Sequence, residues 1–235
     1  MTQPVDPRAR FRADDIAAAN ARLNGAEPAE IVAWALAAAA PATAVVSTNF
    51  RPYEAVLLHL CTSAQPDLPV LWADHGYNRP ATYRHVAVLE AQLHLNLHAF
   101  VPRRTAAHRD AVEGPLPEPD DEAGLRRFSA EFKLEPFRRG LQTLAPAVWF
   151  TALRRAQSPE RAGTDVVAFD ETFGVVKVCP VLHWSDAEME AYLQAHGLPN
   201  EWDYWDPAKA DEKRECGLHA HWAKEHGAKK TERFV

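Results

Sequence analysis

The sequence predicts an α/β protein: a mostly parallel sheet with helices on both faces. Three observations predict it. Short apolar runs of strand length alternate with longer segments of helical spacing. The strand-like runs end in polar loops that lead straight into helices, which is how parallel strands are connected. And with 47% hydrophobic residues in 235, the chain is long enough to bury one sizeable core. The 26 Lys and Arg stand against 32 Asp and Glu, a net charge of −6, and the 18 Pro and 10 Gly are dispersed without an internal repeat. That composition excludes collagen, coiled coil and wholly disordered chains.

Taken in order, residues 15–23 and 28–40 have helical spacing, and residues 43–47 read as a short buried strand. Ser47, Thr48, Asn49, Phe50 and Arg51 form a polar elbow. Residues 52–62 then return to helical spacing, with Pro52 suited to a first turn. The unit repeats as a strand over 69–74, a loop over 75–78 and a helix over 80–92. A third strand is expected over 93–100. Residues 102–121, rich in Pro, Asp and Glu, predict an exposed connection. A helix over 136–144 and a strand over 147–152 follow. Residues 165–169 and 175–178 predict a strand pair around a turn at Thr172, Phe173 and Gly174. Ser185, with Glu188 three residues on, predicts a capped helix over 185–196.

No segment predicts a membrane span, because the most apolar run, residues 31–46, is interrupted by Pro41 and falls short of the roughly 20 residues a bilayer requires. The first residues carry charges with no apolar stretch behind them, unlike a secretory signal, so a cytoplasmic location is expected. Three widely spaced cysteines make no disulfide framework and suit a reducing compartment.

In a parallel sheet, ligands lie beyond the carboxyl ends of the strands at the switch in strand order. Three loops fall there: 47–51, 74–78 and 153–161. The last carries Arg154, Arg155 and Arg161, and arginine forks match phosphate oxygens; a solvated loop with Glu160 as partner is the plain alternative. Residues 101–161 hold 11 Lys and Arg against 9 Asp and Glu, so the middle is basic only by contrast with an acidic remainder. That is too interleaved for a nucleic-acid surface and fits a small polyanion better. The hydroxyls and amide of Ser47, Thr48 and Asn49, with a helix start behind them, add donors. Neither a GxxxxGK[ST] nor a GxGxxG fingerprint occurs.

Near the C-terminus, Lys213 and Arg214 precede Cys216, with Gly217 beside it and His219 three residues on. A cysteine is a nucleophile only as thiolate, and nearby cations favour that form. Cys216 is therefore the candidate reactive thiol. Cys216, His219, His221 and His226 could alternatively ligate zinc. Cys61 and Cys179, inside apolar segments, are expected to be buried small hydrophobes.

With these residues in view, the chain resembles the phosphoadenylyl-sulfate (PAPS) and adenylyl-sulfate (APS) reductase family of assimilatory sulfate reduction. The motifs coincide in order over residues 43–219: Ser47-Thr-Asn-Phe50 with Glu54-Ala-Val-Leu-Leu-His59, Asp74-His-Gly-Tyr77 with Pro80-Ala-Thr-Tyr83, Lys133-Leu-Glu-Pro136, Leu153-Arg-Arg-Ala-Gln-Ser158 with Arg161, and Arg214-Glu-Cys-Gly-Leu-His219. The resemblance implies an adenine nucleotide alpha-hydrolase-like, Rossmann-like fold with a mobile C-terminal tail. The corresponding division is an N-terminal helical segment (1–42), a sulfonucleotide-binding part (43–198) and a tail (199–235), within a single domain.

It also implies a chemistry. Cys216 would attack the sulfur of the bound nucleotide and become an S-sulfonate, from which thioredoxin or glutaredoxin releases sulfite. Ser47, Thr48 and Asn49 would cradle the phosphosulfate. Arg51, Lys133, Arg154, Arg155, Arg161, Arg214 and His219 would line or neutralise the site, and Asp74 and Gly76 would shape the nucleotide pocket. Family members that use APS commonly bind a four-iron cluster through cysteine pairs. Phe128 and Ser129 stand in place of one pair, and three cysteines cannot supply four thiolates. The expectation is therefore the cluster-free branch, with PAPS as substrate, reduced thioredoxin as donor, no bound cofactor, no membrane or nucleic-acid partner, and a homodimer as relatives suggest. The alternatives are an APS reductase without a cluster and a non-catalytic nucleotide-binding regulatory protein. Three departures from the family pattern stand out: Arg51 in place of a usual glycine, His75 in place of a usual threonine, and a short connection over 199–213.

Overall fold

The computed structural model describes residues 11–40 and 43–208. Arg214, Cys216 and His219 lie outside the described residues, as do His221 and His226.

Helices α1 (Ala13–Leu23) and α2 (Pro28–Ala39) precede β1 (Ala44–Thr48), α3 (Glu54–Ala64), β2 (Pro69–Ala73), α4 (Pro80–Leu93) and β3 (Asn96–Phe100). The sheet order is β3-β2-β1-β4-β6-β5, with β4 at Val148–Phe150, β5 at Val167–Asp170 and β6 at Val175–Val178. β1 pairs in parallel with both β2 and β4, β2 with β3, and β4 with β6. β5 runs antiparallel to β6, the hairpin expected around Gly174. The chain thus builds outward from β1 on one side and then crosses to the other, so the switch in strand order falls between β1 and β4.

Alternation along these strands makes two cores, one per face. Val46, Val70, Val148 and Phe150 point toward α2, α3 and α4, joined by Ile31, Val32, Leu57 and Leu89. Val45, Leu71 and Trp149 point the other way, against Phe137 and Leu141 of α7 (Glu135–Leu144). Two apolar faces on central strands are what a sheet covered on both sides requires. The first two helices belong to the same core: Asn20 of α1 donates to the Val167 carbonyl at 2.8 Å and accepts from the Val167 N–H at 2.9 Å, pairing the edge strand β5 as a neighbouring backbone would. Among the described residues no helix is long and apolar enough to cross a membrane.

Three sequence expectations need correction. The third strand begins at Asn96 rather than 93, because α4 continues to Leu93 and ends on His94 in the left-handed region at φ 51°. The connection over 102–121 contains α5 (Ala106–Glu113), capped by the Thr105 hydroxyl accepting from the His108 N–H and held by the buried Arg109. The helix over 136–144 is the last part of a longer helical run: α6 (Glu122–Ser129), a π-helical turn (Ala130–Leu134) and then α7. In that turn the Glu135 N–H reaches back to the Ala130 carbonyl. Pro136 has no N–H for the carbonyl four residues earlier and crowds it, and the widened turn just before it lets the helix continue past the proline. The capped helix is as expected: in α8 (Asp186–Ala195) the Ser185 hydroxyl accepts from the Glu188 N–H at 3.3 Å, and Glu188 accepts from the Ser185 N–H at 2.7 Å.

Candidate functional site

The loop after β1 and the loop after β4 close on one cleft, lined by Ser47, Thr48, Asn49, Arg51, Glu54, Trp149, Thr151, Ala152, Leu153 and Arg161. It sits at the switch between β1 and β4, where the opposite courses of the flanking connections leave room for a ligand.

Glu54, at the first position of α3 and 6% exposed, organises the first loop. Its Oε2 accepts from the Thr48 hydroxyl at 2.8 Å and the Asn49 N–H at 2.6 Å, and its Oε1 accepts from Arg51 Nε at 2.9 Å. Thr48 Oγ1 in turn accepts from the Phe50 N–H at 2.9 Å. The turn places Phe50 and Tyr53 at φ 55° and 71°, on either side of Arg51. Left-handed backbone at a bulky residue is strained. Burial of Phe50 edge-on against Trp72, ring centroids 5.2 Å apart, and the Glu54 bonds hold it there. Arg51 therefore occupies the loop with its guanidinium on Glu54. Trp149 Nε1 donates to Ser47 Oγ at 2.7 Å, which leaves the Ser47 O–H free to donate into the cleft it lines.

The three arginines of the loop after β4 have different settings. Arg161 is buried and lines the cleft, bonded to Gln157 Oε1. Arg154, also buried, donates to the Trp184 carbonyl at 3.2 Å, pairs with Asp186 at 2.6 Å, and lies over the Tyr53 ring at 5.4 Å. Arg155 donates through Nε and Nη2 to the Thr164 carbonyl at 3.1 and 2.8 Å. Arg154 and Arg155 thus tie the loop to α8 and to residue 164, and neither lines the cleft.

The loop after β2 is drawn together by Asp74, whose Oδ1 accepts from the Gly76 N–H at 2.9 Å, Asn78 Nδ2 at 2.9 Å and the Tyr83 hydroxyl at 3.0 Å. Burial and the adjoining carboxylate push the Tyr83 hydroxyl up to about 12. Gly76 turns at φ +77° close to Ala106, where a side chain would be strained. His75 is buried, its Nδ1 accepting from the Tyr77 N–H at 3.1 Å. Burial first, then the Lys133 ammonium, lowers its pKa to about 4, so the ring is neutral.

Lys133, turned inward by the π-helical turn, pairs with Asp206 at 2.5 Å, their side chains 4% and 2% exposed. Burial by itself would raise the Asp206 carboxyl; the Lys133 charge and hydrogen bond, with the Ala208 N–H, outweigh it and hold the carboxyl below its usual range. Cys61 and Cys179 are buried as expected, and burial pushes both thiols up, Cys179 to about 11. Among the described residues no group of three or more His, Cys, Asp or Glu side chains is placed to hold a metal.

Of the residues singled out in the sequence, the structure brings Ser47, Thr48, Asn49, Arg51 and Arg161 into one cleft. It places Asp74 and Gly76 in the loop after the next strand, and Lys133 beside that loop on Asp206. Glu54 and Trp149 were missed as organisers of the cleft. A carboxylate opening an otherwise apolar helix was the signal for Glu54; nothing in the sequence marked Trp149 or Asp206.

Comparison with known proteins places the chain in a family and a fold type. The phosphoadenosine phosphosulfate reductase domain family matches residues 43–201. A protein of Xanthomonas oryzae pv. oryzae described as phosphoadenosine 5′-phosphosulfate reductase is 37% identical, covering 88% of this chain and 93% of its own. One of the same description from Erwinia tasmaniensis is 36% identical over 87% and 91%. Among solved structures, a phosphoadenylyl-sulfate reductase from Candida auris in complex with phosphate superposes with a TM-score of 0.69 at 22% identity, covering 80% of this chain and 89% of that one. An FMN adenylyltransferase from Candida glabrata shares the fold at a TM-score of 0.51 and 15% identity, covering 80% of this chain and 62% of that one. The fold is thus the nucleotide alpha-hydrolase type, and the chain belongs to the phosphoadenosine phosphosulfate reductase domain family.

Proposed function

We propose that this chain reduces 3′-phosphoadenylyl sulfate to sulfite and adenosine 3′,5′-bisphosphate, through an S-sulfonate on Cys216. The observation that carries the proposal is the cleft at the β1–β4 switch. It gathers Ser47, Asn49, Arg51 and Arg161 at the switch in strand order, where a parallel sheet leaves room for a ligand. Hydroxyl and guanidinium donors fixed by Trp149, Glu54 and Gln157 suit an anion whose charge grows as the leaving phosphate departs.

In the reaction the Cys216 thiolate attacks the sulfur of the nucleotide. An S–S bond forms, the S–O bond to the phosphate breaks, and adenosine 3′,5′-bisphosphate leaves with that bonding pair. A thiolate of a thioredoxin-class dithiol protein then attacks Cys216 Sγ and expels sulfite with the S–S pair. The second thiol of that partner resolves the mixed disulfide, so the two electrons come from the dithiol and Cys216 returns as thiol. The lack of a cysteine set for a four-iron cluster favours PAPS over APS, and the arginines of the cleft are the candidate readers of the extra phosphate.

Incubation with PAPS followed by intact mass tests the proposal. A gain of about 80 Da, one SO3, is expected on the wild-type chain and none on Cys216→Ser. Equal adduct on both removes the nucleophile assignment. Sulfite release with a thioredoxin-class donor should be about tenfold or more faster in kcat/KM from PAPS than from APS, since one charge-assisted phosphate contact is worth that much. Equal rates overturn the substrate choice.

A further inference from the structure

The helical run ahead of β4 packs on the sheet through Phe137 and Leu141. Along the same run opens a recess of about 540 Å³. That volume falls in the range of about 300–1,000 Å³ in which proteins hold small molecules. The recess shares no lining residue with the cleft at the β1–β4 switch. Ala123, Arg127, Ala130, Leu134 and Arg138 line it at steps of four, three, four and four residues, one stripe through α6, the π-helical turn and α7. Arg126 and Arg139 join from the same run, and Arg103 from the chain after β3. Five guanidiniums thus line one recess, with Glu135 the single carboxylate among the lining residues. They are five of the 11 Lys and Arg in residues 101–161, in a chain whose net charge is −6. Charges of one sign gathered around a concave, partly apolar surface raise its potential and draw a counter-charge.

The bonding around the recess leaves donors over. Glu135 Oε1 accepts from Arg103 Nε at 3.1 Å and from Arg139 Nε at 3.0 Å, and its Oε2 accepts from Arg139 Nη2 at 3.1 Å. Arg139 also donates to the Val101 carbonyl at 2.6 Å and lies over the Phe100 ring at 5.6 Å. These contacts fix both arginines. Among the described residues they leave both terminal amino groups of Arg103 and Nη1 of Arg139 without a partner. Arg126 meets Glu122 at 3.4 Å, a pair more than half exposed and therefore weak. The Arg127 and Arg138 side chains have no hydrogen-bond or ion-pair partner among the described residues. The Glu113 carboxyl is held below its usual range chiefly by its bond to Arg104, with Arg127 a lesser and unbonded influence.

We propose that this recess is a second ligand site, one that takes a nucleoside polyphosphate. The arginine rim would hold the phosphate oxygens, and the base would cover the floor of Ala123, Ala130 and Leu134. Arginine serves both ends of such a ligand, because its fork matches phosphate and its plane stacks on an aromatic ring. Inorganic phosphate would leave the apolar floor uncovered, and a flat acidic protein face would not fill the recess. The proposal is independent of the assignment of Cys216 and of the cleft after β1.

Calorimetric titration of the full chain with ATP tests it, without magnesium and at about 0.1 M salt, where charges more than about 10 Å apart are largely screened. Wild type should bind ATP saturably. Arg127→Gln with Arg138→Gln should weaken one equivalent of that binding about tenfold or more. Ala123→Glu brings a carboxylate to the recess in the first turn of α6, where an acid also favours the helix, and should abolish the same equivalent. Arg22→Gln with Arg84→Gln removes equal charge from two exposed positions elsewhere and should leave affinity within about twofold. Inorganic tripolyphosphate should bind about tenfold or more weakly than ATP, for want of a base. The proposal is overturned if wild type shows no saturable binding, or if the recess variants bind as wild type does. It is equally overturned if the remote pair costs as much as the recess pair, which would mean bulk attraction only. Tripolyphosphate binding as tightly as ATP would overturn the nucleoside assignment and the proposal with it.

Discussion

At the residue scale, Glu54 does the most for the cleft. A buried carboxylate is tolerated only when its lone pairs are met, and here one oxygen accepts from Thr48 and the Asn49 N–H while the other accepts from Arg51. Glu54→Gln keeps the shape, but its amide can present only one oxygen, so an N–H must face either Arg51 or the Thr48 and Asn49 donors. Glu54→Ala removes both acceptor oxygens, and with them all three bonds, and strands the Asn49 N–H. Urea denaturation should show a loss of about 1–2 kcal/mol for the Gln variant and about 3 kcal/mol for the Ala variant, with nucleotide affinity falling in the same order. An unchanged Ala variant would mean that the loop holds its shape without Glu54. The cleft was half legible in the sequence for a related reason. Polar residues after a strand announce an anion-binding loop, so Ser47, Thr48, Asn49 and Arg161 could be named from their places alone. What holds them could not. Trp149 is 102 residues from Ser47, and Asp206 is 73 residues from Lys133, so those bonds exist only once the sheet has formed.

At the element scale, the alternation of strand and helix was readable because period-2 and period-3.6 patterns differ over even short windows. The stretch from Ala106 to Leu134 was not readable, for physical reasons. Prolines and charges flank α5, and the turn over Ala130–Leu134 follows neither the helical nor the strand period. Just beyond this stretch α7, which the sequence did announce, comes so close to the sheet that Gly140 has no room for a methyl group. A Cβ there would overlap Leu71 Cδ1 and come within 3.0 Å of the Phe100 ring. Helix propensity alone favours alanine over glycine by about 1 kcal/mol. Packing should win, because Leu71 is fully buried and the interior does not yield easily. Gly140→Ala should lower stability by about 1–3 kcal/mol in denaturant titration, whereas a stabilised variant would show that α7 can shift outward at no cost.

At the scale of the whole molecule, the fold stores a pH dependence in a histidine with no obvious catalytic task. His75 is 4% exposed and accepts the Tyr77 N–H, with the Lys133 ammonium near it. Its pKa drops from the model-compound 6.5 to about 4 on folding, chiefly through burial. Between those two values the unfolded chain binds the proton and the folded chain does not. Stability must therefore be fully present above about pH 6.5 and decline as the pH falls toward 4, with a slope of about 1.4 kcal/mol per pH unit and a limit of about 3 kcal/mol. His59, His85 and His183 are shifted the same way, so the wild-type curve alone does not isolate His75. The Asp206 carboxyl, held below its usual range, adds a further loss only at pH values under that of a free aspartate. The difference between wild type and His75→Asn isolates the effect, because the Asn side-chain oxygen can accept the Tyr77 N–H but does not titrate. Unfolding free energies at pH 7.5 and pH 5 should fall less in the variant, by about 2 kcal/mol. Parallel losses in the two proteins would mean that His75 gains its proton without leaving the folded state, and that the pocket between Lys133 and Tyr77 opens to water well before the chain unfolds.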